Sequence, residues 1–298
     1  MRVLISGASG LVGSEVRRQL LELGHQPLSL VRRPARNEFE VSYDPANGVF
    51  DADVMNHVDA VVNLAGATTG KLPWTKTYKR ELVSSRVETT KLLVDAILAA
   101  KNPPKVLVSG SASGIYGDAG DKMLDESAPV GKGFLAELAS AWEAEAMRAT
   151  PKTRVVLART TMVMLRKLGA LGRLLPLVRL GVGGPLGNGK QWWAFISLQD
   201  EAAAIIHLIN NADTSGPYNL TAPEAATCAD LVHALGKALR RPTILPVPAF
   251  ALRMVFGEGA DELLLCSQKM SASKLLASGF VFKHPNLESA ARWSVGKD

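Results

Sequence analysis

Three glycines near the start of the chain have a spacing that lets a backbone come close to a phosphate. Gly7, Gly10 and Gly13 lie between a β-prone run, residues 2–6, and a helical pattern with apolar residues at Leu11, Val12, Val16, Leu20 and Leu23. Glycine at the first position permits a tight turn. At the second it admits backbone N–H groups to a pyrophosphate, and at the third it lets the helix lie close to its strand. The helix N-terminus adds unpaired donors and a partial positive charge. Gly7, Ser9, Gly10, Leu11, Val12 and Gly13 are therefore expected to cradle the diphosphate of a dinucleotide.

The second strand bears on which dinucleotide. An Asp or Glu about 20 residues past the glycines would bond a ribose 2′-OH. Here the segment reads Leu30, Val31, Arg32, Arg33, with no acid. A carboxylate would repel a 2′-phosphate, whereas a guanidinium pairs with it through two donors. NADP is expected over NAD, with Arg32 and Arg33 reading the phosphate. Exposed pairs are worth only about 0.2–1 kcal/mol each, so the preference is one of degree.

The elements that must position these groups alternate. Strand-like runs at 2–6, 27–31, 60–64, 105–109 and 154–158 are separated by helical patterns at 11–23, 78–100 and 134–149. This order predicts an α/β fold, a Rossmann-type doubly wound parallel sheet covered by helices. The stretch around 44–53 carries no clear pattern. Beyond residue 160 the rhythm changes, with a glycine-rich loop at 181–189, helices at 200–209 and 229–239, and a short strand at 218–220. Residues 1–160 are expected to form the dinucleotide-binding domain. Residues 161–298 are expected to form a smaller substrate lobe, with a helical region at 245–298.

Composition narrows the function classes. The chain has 298 residues, 47% hydrophobic and 21% charged, with a formal net charge of +6. Its basic residues come as scattered pairs without interleaved aromatics, which argues against nucleic acid and suits a small polyanion. No apolar run approaches the roughly 20 residues that span a bilayer, and no signal peptide pattern opens the chain, so a cytoplasmic protein without membrane attachment is expected. Cys228 and Cys266 are far apart, and the five histidines are scattered, so neither a disulfide nor a metal site is expected.

The glycine triplet, the run Asn63, Leu64, Ala65, Gly66 after a buried strand, and residues 111–117 after another resemble the extended short-chain dehydrogenase/reductases. More closely, the chain resembles their atypical branch of epimerase family proteins, which are nucleoside-diphosphate-sugar-epimerase-like. Residues 85–90, 134–143, 183–191 and the tail from Phe256 to Phe280 carry that likeness over nearly the whole length. The resemblance implies a dinucleotide cofactor contacted also by Asn63, Leu64, Ala65 and Gly66. It implies a substrate cleft beside 181–193, where Trp192 and Trp193 serve as packing or as a platform for a ring. It further implies a homodimer formed through the helices at 78–100 and 134–149.

The superfamily's chemistry rests on Tyr-x-x-x-Lys, whose lysine lowers the tyrosine pKa so that the phenolate can move a proton. Aligning the helix on Glu143 puts Leu135 at the tyrosine and Ala139 at the lysine, and Ala112 at the superfamily's Ser or Thr. Ser111, Ser113 and Tyr116 are the candidate catalytic substitutes, with Asp118 and Glu143 as further carboxylates. The expected function is an NADP-dependent oxidoreductase or epimerase-like enzyme acting on a hydroxylated or nucleotide-sugar-like substrate. The alternative is a non-catalytic NADPH-binding regulator.

Overall fold

The computed structural model describes residues 1–165, 176, 178–180 and 183–297. The basic pair Arg166 and Lys167, and Gly181 and Val182 at the head of the glycine-rich loop, lie outside the described residues.

Short aliphatic runs build one central sheet. Its strands are β1 (Arg2–Ser6), β2 (Gln26–Val31), β3 (Glu40–Asp44), β4 (Val49–Phe50), β5 (Ala60–Asn63), β6 (Val106–Ala112), β8 (Arg154–Thr160) and β11 (Gly216–Leu220). Two small pairings complete the strands: β7 (Met123–Leu124) with β12 (Lys269–Met270), and β9 (Met162–Met164) with β10 (Phe195–Ser197). The described α-helices of five residues or more are α1 (Leu11–Glu22), α2 (Lys76–Ala99), α3 (Phe134–Met147), α4 (Leu198–Asn210), α5 (Cys228–Leu239), α6 (Ala249–Phe256), α7 (Ser273–Ala277) and α8 (Leu287–Ser294).

The sheet runs β11-β8-β6-β5-β1-β2-β3-β4 and is parallel except where β4 pairs antiparallel with β3. From β1 the chain winds outward through β2 and β3, then crosses back to place β5 on the other flank of β1. That reversal opens a crevice at the carboxyl ends of β1 and β5, where ligands bind in open α/β sheets. The register sets Ser6 beside Asn63 at this point.

Burial on both faces explains the continuous apolar runs of the central strands. Val3, Ile5, Val62, Val108 and Val156 point to one side, against Val16 and Leu20 of α1 and Ile205 and Leu208 of α4. Leu4, Val61, Leu107 and Val155 point to the other, against Leu93 and Ile97 of α2 and Ala146 of α3. A separate cluster, including Phe195, Leu231, Leu235, Leu252 and Leu287, forms the core of the C-terminal lobe.

The outermost strand β11 comes from the second half of the chain, and α4 packs on α1. Residue 160 is therefore where the chain first leaves the sheet, and the sheet is completed later. The stretch around 44–53 holds the end of β3, the hairpin partner β4 and a short 3-10 turn, Ala52–His57. Only Tyr43 of β3 is buried, because this end of the sheet is covered on few sides, so no alternating pattern was needed.

Candidate functional site

At the carboxyl end of β1 the three glycines do different things. Gly7 has φ +73°, a left-handed conformation, and a Cβ there would come within 2.7 Å of the Leu64 carbonyl. A Cβ on Gly13 would run into the Gly7 carbonyl oxygen, so α1 can lie against the turn only without a side chain at that position. Gly10 is different. It is exposed, its backbone at φ −75° and ψ 173° suits any residue, and a Cβ would find only the Gly7 oxygen at 3.2 Å. That contact is close but lies on one side only, so the fold demands glycine here less than at Gly7 or Gly13, and the open side of the backbone is left for an approaching ligand.

The helix start agrees with this. Side chains cap the N-termini of α2, α4, α5 and α8 through Thr75, Ser197, Thr227 and Asn286. The start of α1 has no side-chain cap and no acid in its first turn. Its partial positive charge is left for an anion. Leu11 is exposed and Val12 half-buried beside it, and Ser9 is exposed at the loop tip.

Across the crevice, Ser6 Oγ donates to Asn63 Oδ1 at 2.5 Å, and Asn63 Nδ2 donates to Thr90 Oγ1 of α2 at 2.8 Å. The Ala65 amide reaches Ser6 Oγ at 3.3 Å. Asn63 is thus a buried strut that holds the loop Leu64, Ala65, Gly66 against Gly7, and Gly66 is its exposed end.

The two arginines after β2 separate. Arg33 forks onto Glu40 of β3 with donors at 2.7 and 2.6 Å, and also reaches the Pro34 carbonyl. Arg33, followed by the Arg36 amide, holds the Glu40 carboxyl down at about 2. Arg32 is exposed and makes no hydrogen bond among the described residues. Sequence reading missed Glu40 as Arg33's partner, because β3 itself carried no readable pattern.

The opposite rim, where the superfamily's proton chemistry would sit, is self-satisfied. Ser111 donates to Glu143 Oε1 at 2.6 Å, and Arg159 of β8 grips both Glu143 oxygens at 2.8 and 2.9 Å. Burial opposes the Arg159 charge, but the Glu143 carboxylate more than offsets it and raises its pKa. Arg159 also donates to the Tyr116 hydroxyl at 2.8 Å, and that hydroxyl donates to Asn219 Oδ1 at 2.7 Å. Burial pushes the Tyr116 phenol up, against the pull of Arg159. A phenol so held keeps its proton at neutral pH.

Of the remaining candidates, Asp118 accepts the amides of Ser267 and Gly120, a turn-fixing role. Ser113 is half-buried at the start of a 3-10 turn, Ser113–Tyr116, and makes no hydrogen bond among the described residues. Leu135 is buried against Gly114, whose Cβ would lie 3.0 Å from its own, and Ala139 is buried beside Ile115 and Met270. Trp192 is held by Asp121 at 2.8 Å and covered by the Lys269 ammonium at 4.0 Å. The buried Trp193 donates to the Leu264 carbonyl at 3.2 Å. Cys228 and Cys266 are buried, unbridged thiols, pushed up by burial to about 11 and about 12.

Three further groups escaped the sequence reading. Glu201 on α4 is fully buried and takes the Thr160 hydroxyl at 2.6 Å, while its other oxygen has no partner among the described residues. Burial, only partly countered by Thr160, raises its pKa to about 8. Glu262, from the C-terminal lobe, accepts the first amides of α3, Phe134 at 2.9 Å and Leu135 at 3.0 Å. Arg86 of α2 is turned in beneath Gly66. Single charged residues on helices give no signal in a sequence that would set them apart from solvated ones.

A parallel sheet with a glycine-lined, uncapped helix start at its switch point defines a dinucleotide-binding protein of the Rossmann type. Comparison with known proteins gives the family. Residues 3–221 match the model of the NAD dependent epimerase/dehydratase family, and 247–294 match a C-terminal domain of unknown function, DUF1731. The chain belongs to the NAD dependent epimerase/dehydratase family. An epimerase family protein of Mycobacterium leprae is 40% identical over 294 residues, covering 98% of this chain and 95% of that protein. The crystal structure of human epimerase family protein SDR39U1 with NADPH superimposes with a TM-score of 0.91 at 33% identity, covering 99% of both chains. The UDP-N-acetylglucosamine 4-epimerase of Bacillus cereus, at 18% identity and a TM-score of 0.76 over 98% of this chain and 97% of that one, shares the fold. Among the described residues no helix is long and apolar enough to cross a membrane.

Proposed function

We propose that this chain binds NADPH in the crevice between β1 and β5 and acts as an NADP-dependent oxidoreductase or epimerase-like enzyme on a hydroxylated or nucleotide-sugar-like substrate. The observation that carries the reading is the exposed bare backbone at Gly10, which the fold needs less than it needs Gly7 or Gly13, at a helix start with no side-chain cap. The human relative crystallised with NADPH supports the choice of dinucleotide. Gly7 to Gly13 would take the pyrophosphate, Arg32 the 2′-phosphate, and the loop Leu64–Gly66 would flank the cofactor on its other side. NADPH, when bound, supplies a hydride. The chain's own residues bind and orient it. Reduction of a carbonyl needs one proton, which water can deliver, and Ser113 is the uncommitted hydroxyl on that rim. Epimerisation must both remove and return hydrogen, and loss of a general base costs it about 10²–10⁴-fold.

A second reading, a non-catalytic NADPH-binding regulator, is favoured by one specific observation. Leu135, Ala139 and the closed Ser111–Glu143–Arg159–Tyr116 chain leave no free base on the catalytic rim among the described residues. Calorimetry with NADPH and NADH tests the shared premise, and no heat with either at millimolar ligand would overturn both readings. A carbonyl and sugar-nucleotide screen then separates them, because only the enzyme consumes cofactor through many turnovers. We further propose a homodimer through α2 and α3, where Val83 and Val87 of α2 and Phe134 of α3 line an open groove. Light scattering would give twice the 31.8 kDa chain mass.

A further inference from the structure

Glu201 is a carboxyl group to which the fold gives neither a counter-charge nor access to water. It stands on α4 in line with Ile205 and Leu208, the stripe that faces the sheet, and has no exposed surface. One oxygen meets Thr160 Oγ1 at 2.6 Å, and the other has no partner among the described residues. The elements packed on α4 direct their charges elsewhere. Strands β6, β9 and β10 carry none. Arg154 of β8 reaches the Leu208 and Ile209 carbonyls at the far end of α4, and Arg159 lies on the other face of β8 with Glu143. On α1, Arg17 is exposed and Arg18 pairs with Glu15 and Glu22. Asp200 takes the Ser197 hydroxyl and the Lys283 and His284 amides, His284 also meets Ser197, and His207 meets Ser278. Lys283 is exposed, and Lys274 of α7 donates to the Ser215 and Pro217 carbonyls. A carboxyl so enclosed keeps its proton at neutral pH.

An apolar side chain would fill this place at less cost than an acid with an unpartnered oxygen. The position of its one partner gives the acid a use. Thr160 is the last residue of β8 and is half-buried, at the carboxyl end of the sheet where the crevice lies. The register sets it beside Ala112, the last residue of β6 and also half-buried. Paired residues of parallel strands point to the same face, about 4.8 Å apart. Ala112 is the position aligned above with the superfamily's Ser or Thr, and it has no hydroxyl to offer; Thr160 does. With Glu201 protonated, the 2.6 Å contact runs outward, the acid donating to Thr160 Oγ1. The hydrogen of Thr160 is then left with only the Ala158 carbonyl at 3.4 Å, a weak acceptor.

We infer that Thr160 is the proton donor to the substrate oxygen, and that Glu201 behind it is the positioning residue that resupplies the proton. The inference rests on the proposed NADP-dependent reduction. As a hydride from NADPH joins the substrate carbonyl carbon, the electron pair of the C=O double bond passes to oxygen. That oxygen takes the Thr160 hydrogen, Thr160 Oγ1 takes the proton of Glu201, and the carboxylate left behind is reprotonated from water.

The Glu201 carboxyl can be followed directly by its infrared C=O band, assigned by its absence from Glu201→Gln and its displacement in Thr160→Val. The band is titrated against pH in the free protein, with saturating NADPH and with saturating NADP⁺. An oxidised nicotinamide ring carries a positive charge that the reduced ring lacks. A carboxyl coupled to the hydride site should therefore lose its proton at least about half a pH unit lower with NADP⁺ than with NADPH. In heavy water, exchange of this proton should slow about tenfold or more in Thr160→Val and recover in Thr160→Ser, which keeps the hydroxyl. NADPH affinity by calorimetry should stay within about threefold in both variants. Equal titration with the two nucleotides, exchange indifferent to Thr160→Val, or no protonated band at neutral pH would each overturn the inference and leave the cofactor site standing. No heat with any nucleotide would instead bring down the proposed function, and this inference with it.

Discussion

The two rims of the crevice are built on opposite principles. On the β1 side the structure leaves polar capacity unspent: an uncapped helix start, a bare backbone at Gly10 and an exposed Arg32. On the β6–β8 side the polar groups from Ser111 through Glu143, Arg159 and Tyr116 to Asn219 are consumed in one internal chain, and among the described residues Ser113 and Trp142 Nε1 stand outside it. Unpaired polar groups are expensive to bury and hard to retain without a use. The first rim is therefore a surface for a ligand, and the second serves mainly to hold the site's shape.

Substitutions at the two rims should accordingly separate binding from stability. The largest effect is expected at Gly10→Val, which should cost NADPH at least about 100-fold in affinity while moving the melting temperature little; calorimetry and thermal unfolding on the same sample would check both halves. Gly13→Ala should do the reverse and destabilise by about 1–3 kcal/mol through overpacking against Gly7. Unaltered NADPH affinity in Gly10→Val would remove the distinction altogether.

Next in size comes the buried pair. Arg159→Met strands Glu143 without its partner and should cost about 3–5 kcal/mol in urea unfolding. NADPH affinity in whatever protein remains folded should be nearly unchanged. A large loss of cofactor binding with normal stability would mean that this network belongs to the ligand surface after all.

Glu201 gives a pH test of the same division. Its folded-state pKa is raised to about 8 from an ordinary value of 4.5, so the folded protein holds a proton there that the unfolded chain gives up. The associated stability is fully present below about 4.5 and is lost as pH rises through about 8. Glu201→Gln should flatten that window, gaining on the order of a few kcal/mol relative to wild type at pH 8.5. Parallel urea midpoints for the two proteins between pH 5 and 9 would contradict it.

The smallest effect is at the adenosine end. Arg32→Ala should weaken NADPH by about tenfold or less and leave NADH unchanged. Equal losses for both nucleotides would show that Arg32 does not read the 2′-phosphate. Arg33→Ala should also favour NADH, since it frees the Glu40 carboxylate to repel a phosphate.

What could be read from the sequence follows the same physical line. The central strands were legible because burial on both faces forces unbroken aliphatic runs, and Gly7 and Gly13 because their spacing reflects tight backbone contacts. Strand β3 was not, since a strand with one buried residue need not advertise itself. The pairing of Ser111 and Glu143 spans 32 positions, and that of Glu143 with Arg159 joins a helix to a strand. Only the folded arrangement brings such groups together. Arg86 gave no signal either, for among residues 85–90 it looks like any helical arginine, and its contacts with Gly66 and Trp142 exist only in the fold.

Glu262 has a wider bearing. The carboxylate that secures the opening turn of α3 is contributed from 128 positions downstream, inside the segment that matches a domain model of its own. Helix α3 carries Leu135, Ala139, Trp142 and Glu143, one wall of the crevice. The terminal appendage is thus a structural tie for that wall, and a chain shortened before residue 247 would lose the anchor of a helix it never touches in sequence.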